Sequence, residues 1–465
     1  MFEIPAALRL AAQRFADAGT PLYLVGGGPR NRLLGLPCGD FDICAAPVGP
    51  TAAALFAQVD GVRAVDRSTR LGTLSVSGPG FEAEYTAWRT ESYGTGGAHR
   101  PDAVAFGATM AQDALRRDFT VNALYYDIAL DKLEDPLGGE ADLRRRMLRT
   151  CRAPEQTFDD DGLRLMRLAR LAAELGFVPE QQTFVAAAQR AALIDDIAPE
   201  RVRAEMERLL LCDAKYPGND ASAVLRGLHL LDELGLLGRI LPELQACRGV
   251  GQRADYHEFD VLEHCLHACA AAPARLSLRL AALLHDVGKP QALAATGRMI
   301  GHDRLGEALV RQALQRLRFP NALTDEVCTL VRAHMVDLDG RMGSGKLRWF
   351  FVQMGRAQAH ALADLRRADV NGSRAVAAPG DPAAKWAALL ERMDAQKTPW
   401  ESTDVDIDGQ ALCDVLGGPS PKVGALKRML HRHVVAHPEQ NNRKRLLSLA
   451  RQWAGNLHIE KESKR

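Results

Sequence analysis

The sequence predicts an α+β chain, with a small mixed sheet near the N-terminus and helical regions after it. Three observations carry this expectation. Short runs with period-two alternation, such as Phe81-Glu82-Ala83-Glu84-Tyr85, fall in residues 1–150. From Asp159 onward the apolar spacing turns helical, with Leu163, Met166, Leu171 and Leu175 on one stripe and Gly176 as a stop. Strand signals are scarce beyond that point.

The elements read in order as follows. Pro21-Leu22-Tyr23-Leu24-Val25 is a buried strand that ends at Gly26-Gly27-Gly28, and a helix runs from Arg30 to Leu34. Asp40-Phe41-Asp42-Ile43-Cys44 is a second strand, and residues 81–85 are a third. Residues 89–108, with Gly94, Gly96, Gly97 and Pro101, read as a loop. Residues 375–384, with Pro379, Gly380 and Pro382, read as a linker. No internal repeat is visible.

Composition bounds the function. A chain of 465 residues, 47% hydrophobic and 25% charged, fits an ordinary globular protein of about three domains. No apolar run approaches the ~18–20 residues that span a bilayer, so no membrane partner is expected. Met1-Phe2-Glu3-Ile4-Pro5 carries no signal-peptide pattern, and the nine cysteines include no CxxC pair. A reducing cytoplasm is therefore the expected location. A net charge of +1 does not mark a nucleic-acid binder, so any RNA contact must be local. The run Leu143 to Arg152 is the basic candidate, although on charge alone a solvated helix face or strand edge is the better reading.

Two constellations carry chemistry. Asp40 and Asp42 are two apart on a strand, so both carboxylates face one side. Such a pair is costly without a cation, and Mg²⁺ takes oxygen ligands that it shares with substrate phosphates. Glu84 and Glu82 project from one face of another strand, and spacing does not choose between them as a third acid. Alone, an Asp-x-Asp pair is most often a solvated strand end. The Gly26-Gly27-Gly28 turn upstream adds backbone N–H groups suited to phosphate oxygens.

The second constellation is histidine-rich. His257, His264 and His267 precede Leu280-Ala281-Ala282-Leu283-Leu284-His285-Asp286-Val287-Gly288-Lys289-Pro290, and His302, His334 and Asp369 follow. Gly288 and Pro290 are expected to end the helix that carries His285 and Asp286. The mixed nitrogen and oxygen donors suit a divalent transition metal or Mg²⁺. His267 is expected to pack or cap, and His302 and His334 to support a second metal or a phosphate.

Together the motifs resemble the class II CCA-adding enzymes, in the tRNA nucleotidyltransferase and poly(A) polymerase family. Leu24-Val25-Gly26-Gly27-Gly28-Pro29-Arg30-Asn31-Arg32-Leu33-Leu34-Gly35 followed by Asp40-Phe41-Asp42-Ile43 resembles the head signature. Arg116-Arg117-Asp118-Phe119-Thr120-Val121-Asn122-Ala123-Leu124 resembles the ribose-recognition motif, and Asp135-Pro136-Leu137-Gly138-Gly139 the hinge-like motif. Asp160-Asp161-Gly162-Leu163-Arg164 resembles the base-selecting motif, and Glu200-Arg201-Val202-Arg203-Ala204-Glu205 the last neck motif. The resemblance covers about residues 20–240.

The resemblance implies Asp40 and Asp42 as Mg²⁺ ligands, with Glu84 preferred over Glu82 as the accessory acid. It implies Gly27, Arg30 and Arg117 on the triphosphate and Asp118 at the ribose. Asp161 and Arg164 would read the incoming base. An acid accepts from the amino groups of C and A, an arginine donates to their ring acceptors, and U and G present the reverse polarity. Arg167 and Arg170 continue the Arg164 row, whose bland reading is a solvated stripe. Asn31, Pro29, Asp160 and Gly162 depart from the family, which usually has Asp, a small apolar residue, Glu and Pro there. The histidine region resembles the HD phosphohydrolases, with His264, His285, Asp286 and Asp369 as the implied ligands.

The resulting expectation is an α+β nucleotidyltransferase head (1–150), an all-α neck (151–250), an HD-type body (251–375) and a helical tail (385–465). The expected function is Mg²⁺-dependent CCA addition to tRNA from CTP and ATP, with a second divalent transition metal in the HD region. The alternatives are a poly(A) polymerase, a half-enzyme adding only CC or only A, or an HD-type phosphohydrolase.

Overall fold

The computed structural model describes residues 3–39, 41–92, 102–216, 218–252, 259–373 and 382–455. Asp40, His257 and the glycine-rich stretch 93–101 lie outside the described residues, as do 374–381 within the expected linker. The chain divides into two compact units, Met1–Ala246 with Ala313–Pro320, and Cys247–Gln312 with Asn321–Arg465.

The first unit carries the strands β1 (Tyr23–Leu24), β2 (Phe41–Ala45), β3 (Arg63–Ser68), β4 (Thr73–Gly78), β5 (Phe81–Ala87), β6 (Arg89–Ser92), β7 (Ala103–Phe106), β8 (Tyr125–Asp127), β9 (Lys132–Glu134), β10 (Met147–Leu148) and β11 (Val178–Pro179). Seven of them form one sheet in the order β3-β4-β5-β2-β1-β8-β9, mixed because β2 and β5 run parallel while the other pairings are antiparallel. Alternation sorts its side chains. Ile43, Tyr85 and Ala87 point into a core built with Phe15 and Phe56. Tyr23, Val25 and Cys44 point to the opposite face, against Ala114, Ala123 and Tyr125. Asp42, two residues from Cys44, therefore shares this second face.

Two local expectations are corrected. The ends of the segment read as a loop, 89–108, pair as an antiparallel hairpin with Arg89 opposite Phe106 and Ser92 opposite Ala103. The glycine-rich middle masked the β-forming ends, and the pairing also buries Arg89 against Glu91 at 2.7 Å. Helical structure dominates after residue 159, as expected, but β11 pairs with β10 in parallel.

The expected stripe forms the helix Leu163–Leu175, closed by Gly176 at φ 65°. The reading of a solvated arginine row does not hold, because Arg164 and Arg170 on it are buried.

The second unit is helical. Gly288 and Pro290 do not simply end a helix. Gly288 is the N-cap of the next one, Lys289–Thr296, with Pro290 in its first turn, where its missing N–H is harmless. A Cβ at Gly288 would lie 2.1 Å from the carbonyl oxygen of His302, so glycine lets this turn press against the start of the helix His302–Arg316. The C-terminal helices Gly409–Leu416, Lys422–Ala436 and Arg443–Ala454 close a separate core around Leu412, Leu430 and Leu446. Among the described residues, no helix is long and apolar enough to cross a membrane.

Candidate functional site

In the first unit a cleft of about 870 Å³ opens beside the sheet. Asp42 reaches it from β2. In the parallel pairing Asp42 lies directly opposite Glu84, which places both carboxylates on one sheet face and favours Glu84 over Glu82 as its neighbour. Gly26 stands next to Asp42 at φ 73°, and a Cβ there would come within 3.1 Å of Asp42 Oδ2. The glycine supplies a left-handed turn and leaves space beside the carboxylate. All the acids here offer oxygen donors, the set a hard divalent cation takes.

Arg30 follows on the helix Gly27–Leu33 and is buried. Its Nε and Nη2 donate to Asn31 Oδ1 at 3.0 and 2.8 Å, and its Nη1 donates to Asn122 Oδ1 at 2.5 Å. The Asn31 departure thus keeps the geometry of a side-chain fork while replacing a carboxylate by an amide. Its Nδ2 donates in turn to Pro37 O and Tyr216 Oη. Burial pulls the Arg30 pKa below its ordinary value.

The segment Arg116-Arg117-Asp118 is organised by a residue the motif reading missed. Asp113 is fully buried on the helix Met110–Leu115, whose start is a Thr109/Gln112 capping box. It accepts from Arg116 Nε at 2.7 Å, Arg117 Nη2 at 3.0 Å and Tyr125 Oη at 2.7 Å. Burial alone would raise its pKa, but Arg117 and Arg116 hold it below the usual value. The local signal was present in the sequence: an acid three and four residues before two arginines on a helix.

Asp118 is equally saturated. Its Oδ1 accepts from Phe119 N and Asn122 Nδ2 at 2.7 and 3.0 Å, and its Oδ2 from Arg167 Nε and Nη2 at 2.8 and 2.5 Å. Against the effect of burial, Arg167 holds its carboxyl far below the ordinary range.

Asp161 and Arg164 sit together on the cleft wall. Asp161 Oδ1 accepts from the N–H of Leu163 at 3.1 Å and Oδ2 from Arg201 Nη2 at 2.9 Å. It therefore closes the turn into the helix, whose N-cap is Gly162, and keeps a carboxylate at the cavity. Arg164 donates to the carbonyls of Thr157 and Arg116 at 3.0 and 2.6 Å, which fixes the guanidinium plane. The shorter Asp160 still pairs with Arg152. Deeper in the wall, Arg170 bridges Glu205 and Glu174 at 2.5 and 2.9 Å, and Lys215 also pairs with Glu174 at 2.9 Å.

The second unit holds a buried knot of imidazoles and carboxylates. His264 Nε2 lies 3.0 Å from Asp369 Oδ1 and 3.1 Å from His285 Nε2. His285 Nε2 lies 3.2 Å from Asp286 Oδ2. These implied ligands do come together. Burial disfavours a charge on His285, yet Asp286 and Asp369 push its pKa up to about 10. Lys289 Nζ pairs with Asp286 Oδ2 at 2.5 Å, and Arg366 Nη1 with Asp369 Oδ2 at 2.7 Å. His267 packs, as expected, stacked on Phe259 and paired with Glu263 at 3.1 Å.

Three family descriptions match the chain: the poly(A) polymerase head domain over residues 22–149, the probable RNA- and SrmB-binding site of polymerase A over 176–247, and the HD domain over 255–371. An A-adding tRNA nucleotidyltransferase of Deinococcus radiodurans is 35% identical, covering 88% of this chain and 90% of that protein. A multifunctional CCA protein of Burkholderia pseudomallei is 36% identical, covering 67% of this chain and 74% of that protein. The crystal structure of the Bacillus stearothermophilus CCA-adding enzyme in complex with CTP is 25% identical, with a TM-score of 0.71 over 97% of this chain and 99% of that one.

Proposed function

The chain belongs to the tRNA nucleotidyltransferase and poly(A) polymerase family, and from that premise we propose that it adds CCA to tRNA 3′ ends from CTP and ATP, without a nucleic-acid template. The carrying observation is the cleft that brings Asp42, the Arg117 segment and the Asp161–Arg164 pair onto one cavity. Among the described residues, nine basic side chains line it against five acidic ones, a balance suited to a triphosphate and an RNA end.

Nucleotidyltransferases of this class use a divalent metal ion. Here Mg²⁺ is assigned to Asp42 with Asp40, and Glu84 is the accessory acid. Bound there, the ion would supply Lewis acidity toward the attacking 3′ hydroxyl and the triphosphate. Gly27, Arg30 and Arg117 hold the triphosphate. Arg30 is suited to this because, among the described residues, its side-chain hydrogen bonds go to neutral amide oxygens and not to a carboxylate, which leaves its charge for an incoming anion. Asp118, fixed by Arg167, shapes the ribose region. Asp161 offers an acceptor and Arg164 its remaining N–H donors to the base, while Arg170 supports the wall beneath them.

A second reading, addition of A alone, is favoured by the A-adding relative matched over 88% of this chain. One assay separates the two. Purified protein is given CTP and ATP with tRNA ending at the discriminator base or at CC, and the products are sequenced. CCA on the first substrate is expected. Extension of the CC-ended tRNA alone would establish the A-only reading, and long A tails would establish a poly(A) polymerase.

In the second unit, His264, His285, Asp286 and Asp369 are assigned to one divalent transition metal. The supporting observation is their mixed imidazole and carboxylate donor set: His264, His285 and Asp369 bring donor atoms together, and Asp286 Oδ2 lies 3.2 Å from His285 Nε2. Phosphoester hydrolysis is the chemistry such a site serves.

A further inference from the structure

Arg30 is a buried cation on the wall of the cleft, and amides hold it. Its Nε and Nη2 donate to Asn31 Oδ1, and its Nη1 donates to Asn122 Oδ1. The other partners of these amides fix which way each one faces. A guanidinium only donates, so each asparagine turns its oxygen toward it. Asn31 Nδ2 then meets Pro37 O at 2.9 Å, an atom that only accepts, and Tyr216 Oη at 3.1 Å. Asn122 Nδ2 meets Asp118 Oδ1 at 3.0 Å. Each amide thus stands between a donor and an acceptor, a place that a carboxylate fits poorly.

The acids nearby are engaged elsewhere. Asn122 separates Arg30 from Asp118, whose Oδ2 takes both Nε and Nη2 of Arg167. Glu174 is paired with Arg170 and with Lys215, each at 2.9 Å. Holding a guanidinium out of water against neutral oxygens alone costs free energy that a carboxylate partner would offset. Among the described residues, Arg30 uses three of its five N–H groups, and one remains on each Nη. Gly27, which also lines the cleft, lies against this end: a Cβ there would come within 3.3 Å of Nη2. Two N–H groups on one guanidinium plane match two oxygens of a phosphate.

We propose that Asn31 and Asn122 are positioning residues for a polyphosphate anion: they aim the Arg30 guanidinium with neutral oxygens and so leave its charge to the ligand. The cleft then binds inorganic tripolyphosphate without base, ribose or RNA. This rests on the assignment of Arg30 to the triphosphate.

The test is tripolyphosphate binding by the full chain, measured by calorimetry at several salt concentrations without added metal. The parent chain is expected to bind, and more weakly as salt screens the charge. Asn31→Asp places a carboxylate on Arg30. Binding should weaken about ten-fold, the difference between a charge-assisted and a neutral hydrogen bond, and become less sensitive to salt. Unchanged affinity overturns the proposal, and so does weaker binding with the parent's salt dependence, which would mean that Asn31 acts by shape alone. Should Asn31→Asp not fold, Asn31→Ala takes its place: it removes the aim and leaves the charge, so weaker binding with the parent's salt dependence is expected, and unchanged affinity overturns the role of Asn31. Arg30→Met should remove most of the binding. Binding retained there places the anion elsewhere and ends the assignment of Arg30 as well. Binding lost there but unchanged in the Asn31 variants overturns the positioning role alone and leaves that assignment standing.

Discussion

The two sites are built on opposite plans. The cleft of the first unit is wide and lined by guanidinium groups, several of them pinned by an acid, an amide or a backbone carbonyl behind the wall. The knot of the second unit is closed, and its acceptors face inward at contact distance. Pinned cations around an open cavity prepare a surface for a large anion, with the ordering entropy of long side chains met during folding. Buried imidazoles and carboxylates that converge on one another, with Lys289 and Arg366 paired to two of the acids, prepare a place for a small, highly charged ion. The lesson is that burial and the direction in which the donor atoms point, more than the residue types, tell the two sites apart.

That contrast can be broken by experiment. The largest effect is expected at Asp42. Asp42→Ala removes the carboxylate assigned to the metal and should slow nucleotide transfer about a thousand-fold, from roughly 4 kcal/mol of lost charge stabilisation. Binding of tRNA should stay within a few-fold, and near-normal turnover would end the metal assignment.

Next comes the pinning of the wall. Arg170→Met leaves Glu174 and Glu205 buried with a main partner gone and should cost about 3–5 kcal/mol of unfolding free energy. The sign with pH follows from Glu174. Burial raises its pKa, but Arg170 and Lys215 more than offset this and hold it below its ordinary value. A depressed carboxyl stabilises the fold above its unfolded pKa, here 4.5, and that stability is lost as pH falls through the folded value. Denaturant titrations should therefore show the gap between wild type and Arg170→Met narrowing below about pH 4.5. A gap independent of pH would mean the network is not electrostatic.

The third effect is one of selectivity. Asp161→Ala should reduce the preference for CTP and ATP over UTP and GTP by roughly ten- to hundred-fold, since a bidentate pair discriminates by about 1–3 kcal/mol. Because Asp161 also accepts from the first N–H of its helix and from Arg201, the variant should lose about 1 kcal/mol of stability as well. Single-nucleotide addition with each triphosphate separates the two roles. An unchanged preference would reduce Asp161 to a structural part of the turn before the helix. The smallest effect tests separation of the sites: Asp286→Ala should remove metal-dependent phosphoester hydrolysis and change nucleotide addition less than two-fold. Loss of both activities in a folded protein would mark the second unit's metal as structural.

Much of the candidate cleft was legible in sequence because its residues come in short blocks. Asp42, Arg117, Asp161 and Arg164 each sit in a motif whose spacing survives inspection by eye. The pairing of Asp42 with Glu84 needed the strand register, and spacing could not choose between Glu84 and Glu82. Arg201 was visible in a motif, but its partner Asp161 lies 40 residues away, and nothing local joins them. Asp118 and Arg167 are 49 residues apart and were unconnected for the same reason. The β6–β7 hairpin was hidden because glycine and proline between its strands dominate any local reading. Pro290 shows the converse error: it was read as ending a helix, yet the helix before it stops at Leu284 and Pro290 opens the next one, a choice that only the chain's path decides.

The Asp118–Arg167 pair carries one more consequence. It rivets the segment that follows the helix Met110–Leu115 to the helix Leu163–Leu175, with two hydrogen bonds on a single carboxylate oxygen. The two walls of the cleft therefore keep a fixed gauge. A polymer end that grows one unit at a time inside such a slot cannot be accommodated by prying the walls apart. Room for a longer end would then have to be found along the slot and not across it.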